Sequence, residues 1–358
     1  MSQVSRHGFG IVGTGVIAAV HAAAVATLPG ARLVAVTDMR PESARAFAQA
    51  HGCVAEPDLD ALLAREDVEV VCVCVPSGLH AEVGITAVAA AKHLVVEKPI
   101  EVTVAAADRL IAAARSAGVL MTVMSQHRFD PGLVELRRLL DSGALGDLVL
   151  GEASTKWYRT QEYYDSAGWR GTHTMDGGSL MNQGVHYVDL LRWCMGPVTE
   201  VTAVCATRAH QIEVEDVALA VLKFASGAVG TIVSSTAVFP GYPQRLEITG
   251  TNGTVTVEDG AIVQASLRQG GYGTPGDDGF REAEAEVEAA ADPAALNVAG
   301  HAAQIADFLA AIEECRQPRV TGEAGRDVVE IVCAVYESAR EGRTVVIGPR
   351  PDVPGGAS

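Results

Sequence analysis

Positive charge is scarce in this chain. Its 358 residues carry 27 Lys and Arg against 44 Asp and Glu, for a formal net charge of −17 and a pI near 5.0. Nucleic acids are held by clustered cations, so a nucleic-acid footprint is excluded. Long apolar runs are missing too. None reaches the roughly 20 residues that span a bilayer. The opening stretch, Met1 to His7, lacks the apolar core of a signal peptide. The expectation is a cytoplasmic protein with no membrane partner. The seven cysteines are an odd, scattered set with no Cys-x-x-Cys pair, and no His-Glu-x-x-His occurs. No zinc or other metal site is therefore expected. Cys72 and Cys74 lie within an apolar run and read as small buried hydrophobes. Aromatic residues make up only 5%, so a local concentration of them carries information.

What is present is a large apolar fraction, 48%, enough for two packed domains. The first 125 residues alternate strand and helix patterns. A strand is expected over Val68–Val75, where Val70–Val75 is a continuous Val/Cys run of the kind a parallel strand buried on both faces needs. This rhythm predicts a doubly wound parallel sheet over residues 1–125. From 126 to 348 long alternating strands dominate, interrupted by a helix over Ser179–Met195. They predict an α/β domain with a large, mostly antiparallel open sheet. Residues 268–295 read as an excursion loop, and 349–358 as a flexible tail.

The first strand runs into Gly13-Thr14-Gly15-Val16-Ile17-Ala18. Gly13 permits a tight turn, Gly15 leaves room for a pyrophosphate, and Ala18 lets the helix pack close to the sheet. Val16 and Ile17 begin the helix whose free N–H groups face the phosphates. The second strand ends in Asp38, placed to accept hydrogen bonds from the adenosine ribose; Met39 and Arg40 follow it. A carboxylate there favours NAD, while Arg40 keeps NADP open. Ligands of such sheets bind outside the carboxyl ends of the strands, which places Pro76, Ser77, His80, Glu97 and Lys98 at the cofactor cleft. His80 suits either a cofactor contact or a helix cap. Pro99 is a candidate for a cis bond that aims Lys98 inward.

In the second half, Asp176-Gly177-Gly178 precedes a helix on which Asn182 and His186 stand at i, i+4. Two polar groups on an apolar face need partners, either a ligand or the core. Asp189, one turn on, can orient the imidazole or face solvent. The loop from Trp157 to Gly171 concentrates aromatics and arginine. It suits a polyhydroxylated ligand, a lid or a subunit contact. Tyr164, Trp169 and Arg170 are assigned to the substrate, together with Gln126 at the change of rhythm.

Glu97-Lys98-Pro99 and Gly184-x-His186-x-x-Asp189, with Gly13-Thr14-Gly15 and Asp38, resemble the glucose–fructose oxidoreductase / inositol dehydrogenase / MocA family. The resemblance spans nearly the whole chain. It implies a nicotinamide-dependent dehydrogenase that oxidises a sugar or cyclitol hydroxyl, or runs the reverse reduction. It also implies a homodimer or homotetramer formed through the C-terminal sheet. The matching positions imply that Lys98 binds the reacting hydroxyl and His186 is the acid/base. Where the family often has an aspartate four residues before the histidine, this chain has Asn182, which cannot take a proton and would orient substrate by hydrogen bonds. Amino-sugar and nucleotide-sugar dehydrogenases of the family look similar here. The remaining readings are an NADP-dependent ketosugar reductase and a cofactor- or sugar-sensing binding protein without turnover.

Overall fold

A computed structural model describes residues 7–268 and 298–348. The tail and all but Arg268 of the expected excursion loop lie outside them. The first half comprises β1 (His7–Val12), α1 (Val16–Thr27), β2 (Ala31–Thr37), α2 (Pro41–His51), β3 (Val54–Ala55), α3 (Leu59–Leu63), β4 (Val70–Val73), α4 (His80–Ala89), β5 (His93–Val96), α5 (Val104–Ala117) and β6 (Met121–Val123). The strands pair in the order β3-β2-β1-β4-β5-β6, all parallel. All four β4 residues are buried, as their uninterrupted apolar run requires. Strand order reverses between β1 and β4, so a crevice opens at their carboxyl ends. Gly13, Pro76 and Lys98 all follow strands at this edge.

After α6 (Pro131–Asp141) come β7 (Leu148–Lys156), a short α7 (Gln161–Asp165) and a π turn over Leu180–Gly184 that leads into α8 (Val185–Met195). Then follow β8 (Val198–Ala206), β9 (Val217–Phe224), β10 (Val229–Ser235), β11 (Arg245–Gly250), β12 (Gly253–Glu258), β13 (Ala261–Leu267), α9 (Val298–Glu313), α10 (Gly322–Glu341) and β14 (Val345–Val346). The second sheet has the order β13-β12-β11-β7-β10-β9-β8-β14. Every pair in it is antiparallel except β7 with β10. Helix α8 covers one face closely. A Cβ on Gly151 of β7 would lie 2.7 Å from Leu191 and 2.8 Å from Met195. The other face is solvent-exposed yet carries Val204, Leu219, Val221 and Val229. Sequence pattern predicted most of these elements. It missed α7, β13 and the π turn.

Helix α9 does not stay with the second sheet, although β14 after it does. Ile305, Phe308 and Leu309 of α9 join the core formed by Phe9, Ile11 and α1. Gln304 fastens the end of β6, donating to Thr122 Oγ1 and Val123 O and accepting from Ser125 N. Among the described residues no helix is long and apolar enough to cross a membrane.

Candidate active site

The glycine turn is built to take a phosphate group. Gly13 has φ of +93°, and a Cβ there would sit 2.5 Å from the Cys74 carbonyl. A Cβ on Gly15 would meet nothing within 4 Å, so that side of the turn is open. The N-terminus of α1 has no side-chain cap, which leaves its first N–H groups for an anion. Val16 is exposed and Ile17 half-buried. Asp38 locks this turn: Oδ2 accepts from Thr14 N at 2.8 Å and Thr14 Oγ1 at 2.7 Å, and Oδ1 accepts from Arg40 N at 2.9 Å. Burial acts to raise the Asp38 carboxyl, and these hydrogen bonds overcome it and hold the group below its ordinary value. Met39 and the Arg40 side chain stand in solvent beside it. The residues present fit an adenosine pyrophosphate.

Lys98 follows β5, and its bond to Pro99 is cis. Its ammonium donates to the backbone carbonyl of Asn182 at 2.9 Å and to Asn182 Oδ1 at 3.3 Å. The π turn explains the first contact. Such a turn takes a carbonyl out of the regular helical ladder, and that of Asn182 is offered across the cleft to Lys98. The same turn interrupts the simple i, i+4 relation expected of Asn182 and His186. Asn182 Nδ2 donates to Asp176 Oδ1 at 2.5 Å. Burial lowers the Lys98 pKa, Glu97 and Asp176 oppose that, and Arg170 and Arg159 add to it.

His186 opens onto the same cavity as Lys98. Its ring meets that of His127 edge-on at 5.0 Å. Burial pushes the His186 imidazole well below its ordinary value, and the Lys98 ammonium and His127 push the same way. The ring is therefore neutral at physiological pH, the form a general base needs. Asp189 neither orients it nor faces solvent. That carboxylate is buried and accepts from Arg128 Nε at 2.8 Å and Nη2 at 2.5 Å.

Several expected contacts are placed differently. Tyr164 is buried with its hydroxyl 2.8 Å from Thr236 Oγ1, so it anchors the loop. Its neighbour Tyr163 is half-buried instead: Arg170 Nη1 donates to the Tyr163 hydroxyl at 2.7 Å, and Gln183 Nε2 lies 3.4 Å from it. Trp169 and Arg170 are half-buried, the guanidinium stacked on both Trp169 and Tyr163. Gln126 is buried against Gly300 of α9, remote from solvent. His80 is a tie, neither cap nor exposed contact: its ring nitrogens lie 2.8 Å from Pro99 O and 2.9 Å from Val75 O.

Glu97 is also inside. It contacts His21 Nε2 at 2.7 Å and accepts from the backbone N–H of Lys98 at 3.1 Å. Burial acts to raise its carboxyl, and hydrogen bonds from His21 and His301 hold it well below its ordinary value. The 2.7 Å His21–Glu97 contact is a hydrogen-bond distance, shorter than two ligands of one zinc ion stand apart. Glu97 thus ties α1 and α9 to the strand that aims Lys98. Pro76 and Ser77 are half-buried at the cleft. A Cβ on the adjacent Gly78 would fall 1.9 Å from Thr174 O, so the loop after β4 is docked on the segment carrying Asp176.

Residues 7–125 match the model of an oxidoreductase family with an NAD-binding Rossmann fold, and residues 133–256 match the GFO/IDH/MocA C-terminal domain. The chain belongs to the GFO/IDH/MocA family. The inositol 2-dehydrogenase of Rhizobium meliloti is 29% identical over 95% of this chain and 98% of its own length. That of Acidothermus cellulolyticus is 30% identical over 69% and 72%. Among solved structures, the WlbA dehydrogenase of Bordetella pertussis, in complex with NADH and UDP-GlcNAcA, superposes with a TM-score of 0.86. It is 31% identical over 96% of this chain and 99% of that one. This GFO/IDH/MocA member is an NAD(P)-dependent oxidoreductase whose first domain binds NAD.

Two features of this family member gave no signal in sequence. His127 stands beside His186 only because the segment after β6 folds back, and its own Nδ1 lies 2.7 Å from Asp130 Oδ2. Glu215 is buried beneath Gly177-Gly178: a Cβ on Gly178 would lie 1.8 Å from its Oε2. It accepts from Leu180 N at 2.8 Å and from the Tyr336 hydroxyl at 3.1 Å. Burial pushes the Glu215 carboxyl up to about 7 from 4.5. A carboxyl whose folded value lies above its unfolded one is held protonated by the fold, so its cost to stability grows as pH rises between those two values. The prediction is that Glu215→Gln melts above wild type near pH ~8, with the gap shrinking toward about pH 5. Thermal melts of both proteins at the two pH values check it, and a gap independent of pH counts against it.

Proposed function

We propose that the protein is an NAD-linked dehydrogenase that oxidises a secondary hydroxyl of a sugar, cyclitol or nucleotide sugar. The observation that carries this reading is the meeting of Lys98, Asn182 and His186 at the carboxyl end of β5, beside an open glycine turn. Bound nicotinamide supplies the hydride acceptor. Neutral His186 takes the hydroxyl proton, and Lys98 stabilises the charge that develops on that oxygen. Asn182 directs its amide oxygen at Lys98 and so keeps the ammonium at the reacting position. NAD is preferred because the Asp38 carboxylate repels a 2′-phosphate.

A substrate with an acidic group is favoured over a neutral polyol. Lys98, Arg159 and Arg170 place three cations around the cleft against two acids, Glu97 and Asp176. The likeness to WlbA, solved with a nucleotide sugar acid, supports this. The exposed aliphatic face of the second sheet suits a second copy of the chain, which light scattering tests directly. For the activity, a panel of polyols, aldoses, uronates and nucleotide sugars is followed by absorbance of reduced nicotinamide, with NAD and NADP separately. Turnover is expected with NAD, and the acidic members should show the higher kcat/KM. No turnover with any member, despite NAD binding, would favour a sensing protein instead.

A further inference from the structure

Asp176 lies outside the helix that bears Asn182 and His186, and it is anchored in two directions. Its Oδ2 accepts the backbone N–H of Gly171 at 2.8 Å, and its Oδ1 accepts Asn182 Nδ2 at 2.5 Å. Burial raises the Asp176 carboxyl above its ordinary value, and the N–H donors on both oxygens, with the Arg170 and Lys98 cations, act against it in favour of the ionised form. The side chain is buried, with 1% of its residue exposed. An amide that gives its nitrogen to Asp176 must present its oxygen to the opposite side, and there Asn182 Oδ1 meets Lys98 Nζ. Without the carboxylate, the amide loses the acceptor that keeps its NH₂ turned away from the ammonium.

We infer that Asp176 is a positioning residue that acts on Lys98 through Asn182, supplying the negative charge that position 182 lacks. The inference rests on the reading of Lys98 as the group at the reacting hydroxyl. Asp176 fixes the orientation of the amide, and the amide carries the polarity of the carboxylate to the ammonium. The other ionisable groups acting on Lys98 are Glu97, Arg159, Arg170 and His186. Glu97 favours the ammonium directly from the adjacent position, and the two arginines disfavour a second cation. Glu97 and Asp176 both favour the protonated amine, Glu97 the more strongly, and Asp176 is the one joined to Lys98 through the Asn182 amide.

The test measures Lys98 itself, on the full-length protein and without substrate. Competitive labelling with acetic anhydride across a pH series, read by mass spectrometry on the Lys98 peptide, reports the midpoint at which the amine loses its proton. Removing a neighbouring anion destabilises the ammonium, so Asp176→Asn should lower that midpoint by about one pH unit or more. The exchange Asp176→Asn with Asn182→Asp should return it to the wild-type value or above, because a carboxylate then faces Lys98 directly and an amide holds it. If Asp176→Asn does not fold, Asn182→Leu severs the link and should lower the midpoint as well. A midpoint within about 0.3 units of wild type in the single variant, or no recovery in the exchange, overturns the inference; so does an unchanged midpoint in Asn182→Leu. Where turnover is measurable, the alkaline limb of kcat/KM should move down with the labelling midpoint. Failure of the substrate panel counts against the proposed activity and leaves the labelling result standing.

Discussion

Lys98→Met and His186→Ala should each lower kcat/KM by about 10²- to 10⁴-fold, the range set by losing a general base or a charge-stabilising donor. NAD binding, followed by quenching of tryptophan fluorescence, should be retained, because neither side chain belongs to the glycine turn. The two variants should differ in character. Lys98→Met removes a cation hydrogen-bonded to both acceptors of Asn182, so it should lower kcat and also weaken substrate binding. His186→Ala removes a ring that burial keeps neutral, so its loss should fall on kcat. Wild-type activity should also persist on the acid side of an ordinary imidazole, since His186 protonates well below its usual value. If both variants turn over at near-wild-type rates, the assignment of these two residues is wrong.

The second large effect is on cofactor choice. Asp38→Ala should lower kcat/KM for NAD by about 10- to 100-fold and improve NADP relative to NAD, because the ribose acceptor and the repulsion of a 2′-phosphate disappear together. The exposed Arg40, whose Nε lies 3.6 Å from Asp38 Oδ1, loses that partner in the variant and is left to meet the phosphate. Part of the loss has a further origin. Asp38 holds both the N–H and the hydroxyl of Thr14, so the turn between Gly13 and Gly15 also loses its clamp. Steady-state kinetics with each cofactor separates the two contributions: the lost clamp weakens NAD and NADP alike, while the lost carboxylate shifts their ratio. An unchanged ratio would remove Asp38 from cofactor selection.

How much of this was legible in the sequence depends on how locally each feature is determined. The glycine turn, Asp38 and Lys98 were readable because strand, turn and helix follow one another directly, and topology alone puts strand ends at the crevice. Tyr163 and Tyr164 were not separable. Neighbours on a one-turn helix point about 100° apart, and only the packing of α7 on Thr236 decides which is buried. The π turn was invisible because its residues, Leu180 to Gly184, fit an ordinary helical pattern. His127 and Glu215 have their roles through segments that return from far along the chain, and a linear pattern does not carry such returns. Glu97 and Gln126 were located at the right edge of the sheet, but the helix that packs on them was not. Helix α9, nearly two hundred residues away in sequence, covers one side of that edge.

That late return of α9 sets the order in which the protein can be completed during synthesis. Phe9, Ile11 and the inner side of α1 leave the ribosome first, yet the residues that cover them, Ile305, Phe308 and Leu309, emerge almost last. For most of translation the nascent chain displays an uncovered apolar surface. Closing so long a loop is slow, and a surface of this kind is a point of capture by chaperones or by other nascent chains. A fragment cut after the parallel sheet inherits the same exposure permanently. The cofactor domain is contiguous at the start of the sequence, but it becomes a finished object only when the end of the chain arrives.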